Sequence, residues 1–224
     1  MSKIDFTMQE LFASGAHFGH IREKYNPKMQ PYIFGLREGI YLIDLEKTVA
    51  ALSSALGFIA EQKKQGKSIL FVCTKDGIND VVRKCAIEAG MPYVTYRWPG
   101  GMLTNFATLK KQIDKLNKLE AKVEVGGDEK ISKKDKGKMV KEINKLNQSF
   151  EGVKKLTKTP DSIFIVDTIR EKTALAEAKH LKIPIVAVVD SNGDPTGITY
   201  PIPANDDAIT GIELMFGEIK KALV

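Results

Sequence analysis

Hydrophobic residues recur with helical spacing in some stretches of the chain and form short continuous runs in others. One helix is predicted by apolar residues at every third or fourth position: Leu45, Val49, Leu52, Leu56 and Ile59. Asp44 is a suitable N-cap for it, and Gly66 marks its end. Residues 68–73 then form an unbroken apolar run of strand length, which is typical of a strand covered on both faces.

Strands and helices alternate along most of the chain. After the strand at 68–73 we predict a helix capped by Asp76 and ending at Gly90, followed by a strand at 93–96. Further on come a strand at 162–166, a helix at about 171–181, a strand at 185–189 and a last helix that begins at Asp206 or Asp207. This order predicts an α/β fold in which a parallel sheet has helices on both faces.

The N-terminal part has a different pattern. Thr7 and Glu10 have the spacing of a capping box, which predicts a short helix ending near Gly15. Residues 17–29 are basic and show no periodicity, so we expect an irregular segment there. Residues 31–35 and 39–43 predict two short strands with a turn at 36–38.

Residues 104–158 interrupt the alternation and are predicted to form a separate inserted element. Two apolar stripes mark two helices: Leu109, Ile113, Leu116, Leu119 and Val123 on the first, and Met139, Ile143, Leu146, Phe150 and Val153 on the second. Gly126, Gly127 and Gly137 are expected to bracket the turn between them. We therefore predict an antiparallel coiled-coil hairpin inserted into one globular domain made of residues 1–103 and 159–224.

Charge changes this picture by marking the insertion as the basic part of the chain. The formal net charge is +6. Residues 103–158 hold fifteen lysines and eight acidic residues, a net +7, whereas the rest holds nineteen basic and twenty acidic residues, a net −1. This distribution favours a polyanionic partner for the insertion.

Composition also narrows the classes of protein to consider. Cys73 and Cys85 are the only cysteines, and we expect buried thiols in preference to a disulfide or a metal site. No apolar run is long enough to span a membrane, and the first residues lack the features of a secretory signal. We therefore expect a cytoplasmic protein.

Ligand-binding and catalytic motifs of α/β folds usually lie at the turns where strands lead into helices. Neither a Gly-x-Gly-x-x-Gly fingerprint nor a P-loop is present, and the acidic Asp76 after Cys73 would repel a phosphate. His17 and His20 lack nearby sequence motifs that would complete a metal site, so packing or RNA contact is the preferred interpretation. We expect no catalytic centre, no cofactor and no metal.

One alternative from another functional class stays open. Asp167, Asp190 and Asp206 follow or flank predicted strands and would meet at the carboxyl edge of the sheet, although caps and turns explain such residues without a site. The main alternative to an RNA-binding protein is therefore an enzyme or sensor. It would bind a small phosphorylated ligand through Asp190, Asn192 and Asp206. A free RNA-binding factor, which is not a constituent of a larger particle, is a third possibility.

Two segments have the composition of an RNA contact. The N-terminal segment, residues 17–28, and the Trp segment, residues 97–105, mix basic side chains for phosphates, amides for sugars and base edges, and flat rings for stacking. A well-packed loop is an equally good explanation of each. The candidate RNA-binding residues are His17, His20, Arg22, Lys24, Tyr25, Asn26, Lys28, Arg97, Trp98, Thr104, Asn105 and, in the insertion, Lys130, Lys133, Lys134 and Lys136.

The chain also resembles the bacterial ribosomal small-subunit protein 2 family. The resemblance is carried, in order, by Gly15-Ala-His-Phe-Gly-His20, Asn26-Pro-Lys-Met29, Pro31-Tyr-Ile-Phe34, Ile43-Asp-Leu45, Lys47-Thr48, Arg97-Trp98, Gly100-Gly101, Leu103-Thr-Asn105, Pro160-Asp161, Ile183-Pro184, Ile202-Pro203 and Asn205-Asp-Asp-Ala208. Tyr25, Pro99 and Ser191 depart from the residues that are usual in that family.

This resemblance implies a fold and a function. The implied fold is a flavodoxin-like three-layer α/β/α domain with a protruding coiled-coil hairpin. The implied function is structural: contact with small-subunit ribosomal RNA between the head and body of the subunit, and support for docking of ribosomal small-subunit protein 1. Neither a membrane nor a small-molecule substrate is implied.

Overall fold

A computed structural model describes residues 4–125 and 133–224. Its helices are α1 (Met8–Ala13), α2 (Leu45–Lys64), α3 (Asn79–Glu88), α4 (Phe106–Val125), α5 (Lys133–Phe150), α6 (Lys172–His180) and α7 (Ile209–Leu223). Its strands are β1 (Phe18–Ile21), β2 (Ile33–Arg37), β3 (Ile40–Ile43), β4 (Ile69–Val72), β5 (Tyr93–Val94), β6 (Ser162–Val166), β7 (Ile185–Val189) and β8 (Tyr200–Pro203). Short 3-10 helices cover Arg22–Lys24, Pro27–Tyr32 and Glu151–Val153.

The central sheet is parallel and has five strands in the order β5-β4-β6-β7-β8. Successive side chains of a strand point to opposite faces, so Ile69 and Phe71 join one buried cluster while Leu70 and Val72 join another. Residues of α2, α3 and α7 complete the first cluster, and α6 contributes to the second. The chain is thus a three-layer α/β/α arrangement, as the sequence predicted.

The second buried cluster continues into the inserted helices. Ile113 and Leu116 of α4 have no exposed surface, and Phe150 at the end of α5 is 6 % exposed. These three residues belong to the same cluster as the sheet residues Leu70 and Val72. One face of α4 is therefore held by the core.

Side-chain pairs between α4 and α5 do not have the register of the expected antiparallel hairpin. Lys115 lies beside Glu142, whereas Glu120 accepts hydrogen bonds from Asn147 at 3.0 Å and from Lys154 at 2.6 Å. In an antiparallel pair the partner's number falls as the first helix advances, and here it rises. The antiparallel coiled coil therefore stays a prediction.

Two strands were not predicted from the sequence. β1 lies in the segment that was expected to be irregular, and it pairs antiparallel with β3 in a separate three-stranded sheet of order β1-β3-β2. Its short, partly exposed run offers no apolar alternation to detect. β8 contains Pro201 and Pro203, which argue against a strand in the interior of a sheet but are tolerated here because β8 is an edge strand.

Several expected boundaries were also wrong. Asp76 does not cap α3, because the helix begins only at Asn79 and Ile78 occupies the N-cap position without a side-chain hydrogen bond. The turn between β2 and β3 consists of Glu38 and Gly39, both with positive φ (50° and 80°), which is a two-residue hairpin turn. Gly137 lies inside α5 and does not bracket a turn.

Two local predictions are confirmed by hydrogen bonds. Thr7 and Glu10 form the capping box of α1, with Thr7 N donating to Glu10 Oε2 at 2.7 Å and Glu10 N donating to Thr7 Oγ1 at 3.2 Å. Asp44 caps α2 by accepting from Glu46 N at 3.1 Å.

Within the described residues, no helix combines the length and the apolar character that crossing a membrane requires.

Candidate nucleic-acid interface

The N-terminal segment is fixed against the loop that follows β7. His20 N donates to Ser191 Oγ at 2.7 Å, and Asn26 N donates to the backbone oxygen of Ser191 at 3.0 Å. Gly19 lies so close that a Cβ atom on it would be 2.6 Å from Ser191 Oγ and 2.9 Å from the backbone oxygen of Tyr41. Because β7 is parallel to its neighbours, this contact places the segment at the carboxyl edge of the sheet.

Three candidate residues of the N-terminal segment have internal roles. His17 is buried, and its ring stacks on Phe12 at a centroid distance of 4.2 Å. Burial lowers the pKa of His17. Tyr25 stacks on Tyr41 at 3.9 Å, and the side chain of Asn26 accepts a hydrogen bond from Lys28 N at 3.1 Å.

Lys28 is exposed but not free. Its ammonium lies 2.6 Å from Asp194 Oδ2. That contact, together with hydrogen bonds from Thr196, lowers the pKa of Asp194 to about 2. A phosphate would therefore have to compete with this carboxylate for Lys28.

Arg22 and Lys24 remain available at the surface. Both lie in the 3-10 helix Arg22–Lys24 and are exposed, and neither makes an ion pair with any residue in 4–125 or 133–224. The neighbouring residues His20 and Asn26 are fixed by the contacts with Ser191. Two cations are thus presented from a backbone that is already ordered.

The Trp segment is gathered around one buried carboxylate, Glu177 of α6. Glu177 Oε1 accepts from Trp98 Nε1 at 3.0 Å and from Gly101 N at 2.8 Å. Glu177 Oε2 accepts from Leu103 N at 2.9 Å and from both the backbone N and Oγ1 of Thr104 at 3.1 Å. Trp98 and Thr104, proposed from the sequence as RNA contacts, therefore have structural partners inside the protein.

Hydrogen bonding stabilises the ionised form of Glu177. Burial alone would raise the pKa of this carboxyl group, but the donors of the Trp segment lower it below its usual value. Glu177 was not among the site residues predicted from the sequence. Its position between Ala174 and Ala178, on the buried face of α6, is the signal that could have revealed it.

Arg97 and Asn105 flank the part of the Trp segment that Glu177 holds. Arg97 is exposed and makes no ion pair within the described parts of the chain. Asn105 is also exposed, and its backbone N donates to the oxygen of Gly101 at 2.8 Å just before α4 begins. Both side chains are placed to meet a partner from solvent.

The candidate lysines of the insertion are only partly described. Lys130 lies outside the described residues, and the side chains of Lys133 and Lys134 at the start of α5 are outside the description as well. Lys136 is exposed on α5. Their contact with RNA stays a prediction.

The carboxyl edge of the sheet also carries an acidic cluster around Lys75. The Lys75 ammonium lies 2.6 Å from Asp206 Oδ1, 2.5 Å from Asp207 Oδ1 and 3.4 Å from Asp167 Oδ2. Burial, with Asp167 and Asp190 nearby, raises the pKa of Asp206 to about 7, although Lys75 acts in the opposite direction. The three aspartates suggested by the sequence do meet here, as expected for carboxyl ends of parallel strands.

Three groups of this cluster have donor atoms that could hold a divalent cation. One ligand atom each from His20, Asp190 and Asp207 lies within 4.8 Å of the others. His20 Nδ1 is 3.2 Å from Asp190 Oδ2, a contact that raises the pKa of His20. This grouping was not apparent from the sequence, because His20 and Asp190 are far apart along the chain.

A small phosphorylated ligand does not fit this edge of the sheet. Glu171 Oε1 accepts from Thr74 N and Thr74 Oγ1, each at 2.6 Å, so the backbone donor after β4 that a phosphate would need is taken. Asp167, Asp206 and Asp207 surround the nearby Lys75. The negative charge of these groups would repel a phosphate.

Comparison with known proteins agrees with the resemblance read from the sequence. The chain matches the family model described as "Ribosomal protein S2" over residues 11–224. It is 46% identical over 220 residues to "Small ribosomal subunit protein uS2" of Geotalea uraniireducens, covering 98% of this chain and 86% of that protein. Relatives of the same name from Chloroflexus aggregans (48% over 218 residues, 97% of this chain and 92% of that protein) and Coprothermobacter proteolyticus (44% over 218 residues, 97% and 81%) are also similar.

These matches extend over nearly the whole chain, including the helices of the insertion and the Trp segment. They agree with the geometry, in which the carboxyl edge of the parallel sheet is occupied by the protein's own side chains. The chain therefore belongs to the ribosomal protein S2 family and is a structural protein of the small ribosomal subunit, not an enzyme.

Proposed function

We propose that this chain works in the cytoplasm, binds small-subunit ribosomal RNA between the head and the body of the subunit, and supports docking of ribosomal small-subunit protein 1. One observation gives the main support for the RNA contact. Arg22, Lys24 and Arg97 are exposed cations without an ion-pair partner in residues 4–125 and 133–224, and each lies next to backbone that internal contacts hold in place.

Order in the free protein favours binding. A cation on a disordered loop loses conformational entropy when it binds, whereas one on an ordered segment loses less. Ser191 orders the N-terminal segment, and Glu177 orders the Trp segment. Since β5 and β7 are strands of one parallel sheet, the segments that follow or contact their carboxyl ends lie at the same edge. We infer that the surface formed by these two segments faces the RNA, and that the acidic cluster around Lys75 does not.

The finer features of the fold belong to the same proposal. In chain order the five sheet strands are arranged 2-1-3-4-5, which is the order of flavodoxin-like folds. We propose that residues 104–158 form an inserted pair of coiled helices on a globular domain of residues 1–103 and 159–224, although the pairs Lys115–Glu142 and Glu120–Asn147 do not support an antiparallel register. The net charge of +7 over residues 103–158 supports a contact between this insertion and RNA.

Docking of protein 1 is supported by exposed aromatic rings near the N-terminus. Phe12 is 60% exposed and Phe34 is 78% exposed, and both line a groove between α1, β2 and the start of α2. Large apolar side chains that remain in water are characteristic of protein interfaces, in which aromatic residues are enriched. We therefore assign this groove to protein 1, and the exposed cations Arg22, Lys24 and Arg97 to RNA.

The RNA contact is tested by the salt dependence of binding. The triple variant R22Q/K24Q/R97Q should bind small-subunit ribosomal RNA more weakly than the unaltered chain. Its slope of log K against log salt should fall in magnitude by about 2–3, since each lost phosphate contact removes about 0.7–0.9. Filter binding or fluorescence anisotropy across a salt series measures both quantities.

A matched control removes the same charge from the opposite edge of the sheet. Lys64, Lys67 and Lys182 precede the amino ends of β4 and β7, and the variant K64Q/K67Q/K182Q should bind almost as the unaltered chain does. Equal weakening of RNA binding in both variants would contradict the assignment of the RNA contact to Arg22, Lys24 and Arg97.

Quantitative mass spectrometry of purified small subunits should also find about one copy per particle. Absence of the chain from intact subunits would refute the proposal.

Docking of protein 1 has its own test. The variant F12A/F34A should lose at least about tenfold in affinity for purified protein 1, because aromatic side chains at interfaces often contribute more than about 1 kcal/mol each. I87A/Y96A removes two other exposed apolar side chains and serves as the control. Unchanged binding of F12A/F34A would exclude this groove as the docking site.

A further inference from the structure

We propose that the outer face of α4 is a second RNA-binding surface, in which a row of four lysines binds consecutive phosphates of one RNA strand. The row consists of Lys111, Lys115, Lys118 and Lys122. This inference rests on the proposed function, RNA binding. It adds a surface that contains none of the candidate residues of the N-terminal segment, the Trp segment or the start of α5.

Helical spacing places the four lysines on one face. They follow one another at intervals of four, three and four residues, which puts them within an arc of about 60° at about 100° per residue. At about 1.5 Å per residue the row is about 16 Å long. All four are exposed, and with Asp114 and Leu119 they line one shallow groove.

The core determines which way this face points. Ile113 and Leu116 lie on the opposite side of α4 and have no exposed surface, because they belong to the buried cluster that reaches the sheet. Helix α4 cannot rotate without exposing these two side chains, at a cost of about 1.5–3 kcal/mol for each. The lysine row is therefore held outward in a fixed orientation.

Acidic neighbours neutralise only part of the row. Asp114 in the groove is paired with Lys110 at 3.0 Å, and Lys115 lies beside Glu142 of α5. Lys111, Lys118 and Lys122 make no ion pair in the parts of the chain that the structure describes. The groove thus keeps an excess of positive charge.

A nucleic-acid strand is the partner that this surface fits best. Its phosphates supply evenly repeated negative charge, which matches a row of evenly repeated cations. Protein interfaces usually include aromatic or apolar anchors at their centre, and among the described residues Leu119 is the one apolar residue that lines this groove. Lysine ammonium groups contact phosphates as point charges and need no particular base sequence.

The test compares two variants of the full chain that lose the same charge from the two inserted helices. K111Q/K118Q/K122Q removes the unpaired lysines of the row, and K138Q/K141Q/K145Q removes three exposed lysines of α5. Circular dichroism first verifies that both variants are folded. Binding to small-subunit ribosomal RNA is then measured over a salt series.

We expect the α4 variant to lower the magnitude of the salt slope by about 2–3 and the α5 variant to lower it by less than about 1. Equal decreases of the salt slope in the two variants would mean that only net charge matters, which would contradict specific binding by the lysine row. An unchanged α4 variant beside a weakened R22Q/K24Q/R97Q variant would overturn the row and leave the proposed function intact. Failure of the unaltered chain to bind the RNA would overturn both.

One further outcome identifies a different partner. If the α4 variant binds the isolated RNA as the unaltered chain does but is lost from small subunits, the row contacts an acidic protein surface and the assignment to RNA is wrong. Retention in subunits is measured by mass spectrometry of particles washed at moderate salt.

Discussion

The N-terminal segment and the Trp segment have similar compositions but are held in different ways. Several separate contacts fix the N-terminal segment: two hydrogen bonds to Ser191, the stacking of Tyr25 on Tyr41 and the ion pair of Lys28 with Asp194. A single carboxylate, Glu177, gathers the Trp segment through five hydrogen bonds.

The difference predicts how each segment responds to substitution. Loss of one contact leaves most of the N-terminal segment in place, because the other contacts are independent of it. Loss of Glu177 removes every one of the five bonds together and leaves donors such as Leu103 N buried without a partner. The start of α4 follows directly on the Trp segment, so its position depends on this one residue.

The largest effect is therefore expected for Glu177→Ala. The free energy of unfolding should fall by about 3 kcal/mol, since buried donors lose a charged acceptor. Glu177→Gln keeps one carbonyl acceptor and should lose about 1–2 kcal/mol. Urea unfolding followed by circular dichroism measures both values.

Glu213→Ala is the control for this comparison, because Glu213 is an exposed glutamate of α7. It should change the free energy of unfolding by less than about 0.5 kcal/mol. If Glu177→Ala were no more destabilising than Glu213→Ala, the Trp segment would not depend on Glu177.

A smaller effect is expected for Gly19→Ala in the N-terminal segment. The new Cβ would lie 2.6 Å from Ser191 Oγ and 2.9 Å from the backbone oxygen of Tyr41, so the segment must shift. Overpacking of this kind costs about 1–3 kcal/mol. Gly35→Ala is the control, since nothing lies within 4 Å of the added Cβ, and equal urea midpoints for the two variants would contradict the close contact.

The smallest effect concerns the ion pair of Lys28 with Asp194. The pKa of Asp194 is about 2 in the folded chain and 3.8 in the absence of the fold, so the pair stabilises the protein above about pH 4. This stabilisation is lost as the pH falls towards 2. The pair is exposed, so its contribution should stay below about 1 kcal/mol.

Unfolding of Lys28→Gln and of the unaltered chain should therefore differ slightly at pH 6 and converge near pH 2. Lys64→Gln, which removes a lysine without an ion pair in the described residues, should show no such convergence. A difference that grew on acidification would contradict the assignment.

Features that depend on neighbouring residues could be predicted from the sequence. The capping box of Thr7 and Glu10 and the N-cap Asp44 are local, and the apolar run at 69–72 indicates a covered strand whatever lies around it. The alternation of such strands with helices was sufficient to predict the parallel sheet and its three layers.

Contacts between distant parts of the chain could not be predicted in this way. The sequence identified Trp98 and Thr104 as RNA contacts because it could not show that Glu177 lies beside them. In the same way it could not pair Lys75 with Asp206 or His20 with Asp190. β8 was missed because the prolines that argue against a strand are acceptable only at a sheet edge, and position in the sheet is a property of the fold.

Those prolines have a consequence for the protein before it reaches its ribosome. Pro201 and Pro203 give β8 no amide donors at two positions, and the other edge strand, β5, has only two residues and lies against Gly152. Neither edge offers the long row of free amides on which another chain could add a strand. We expect newly made copies that await assembly to resist edge-to-edge aggregation.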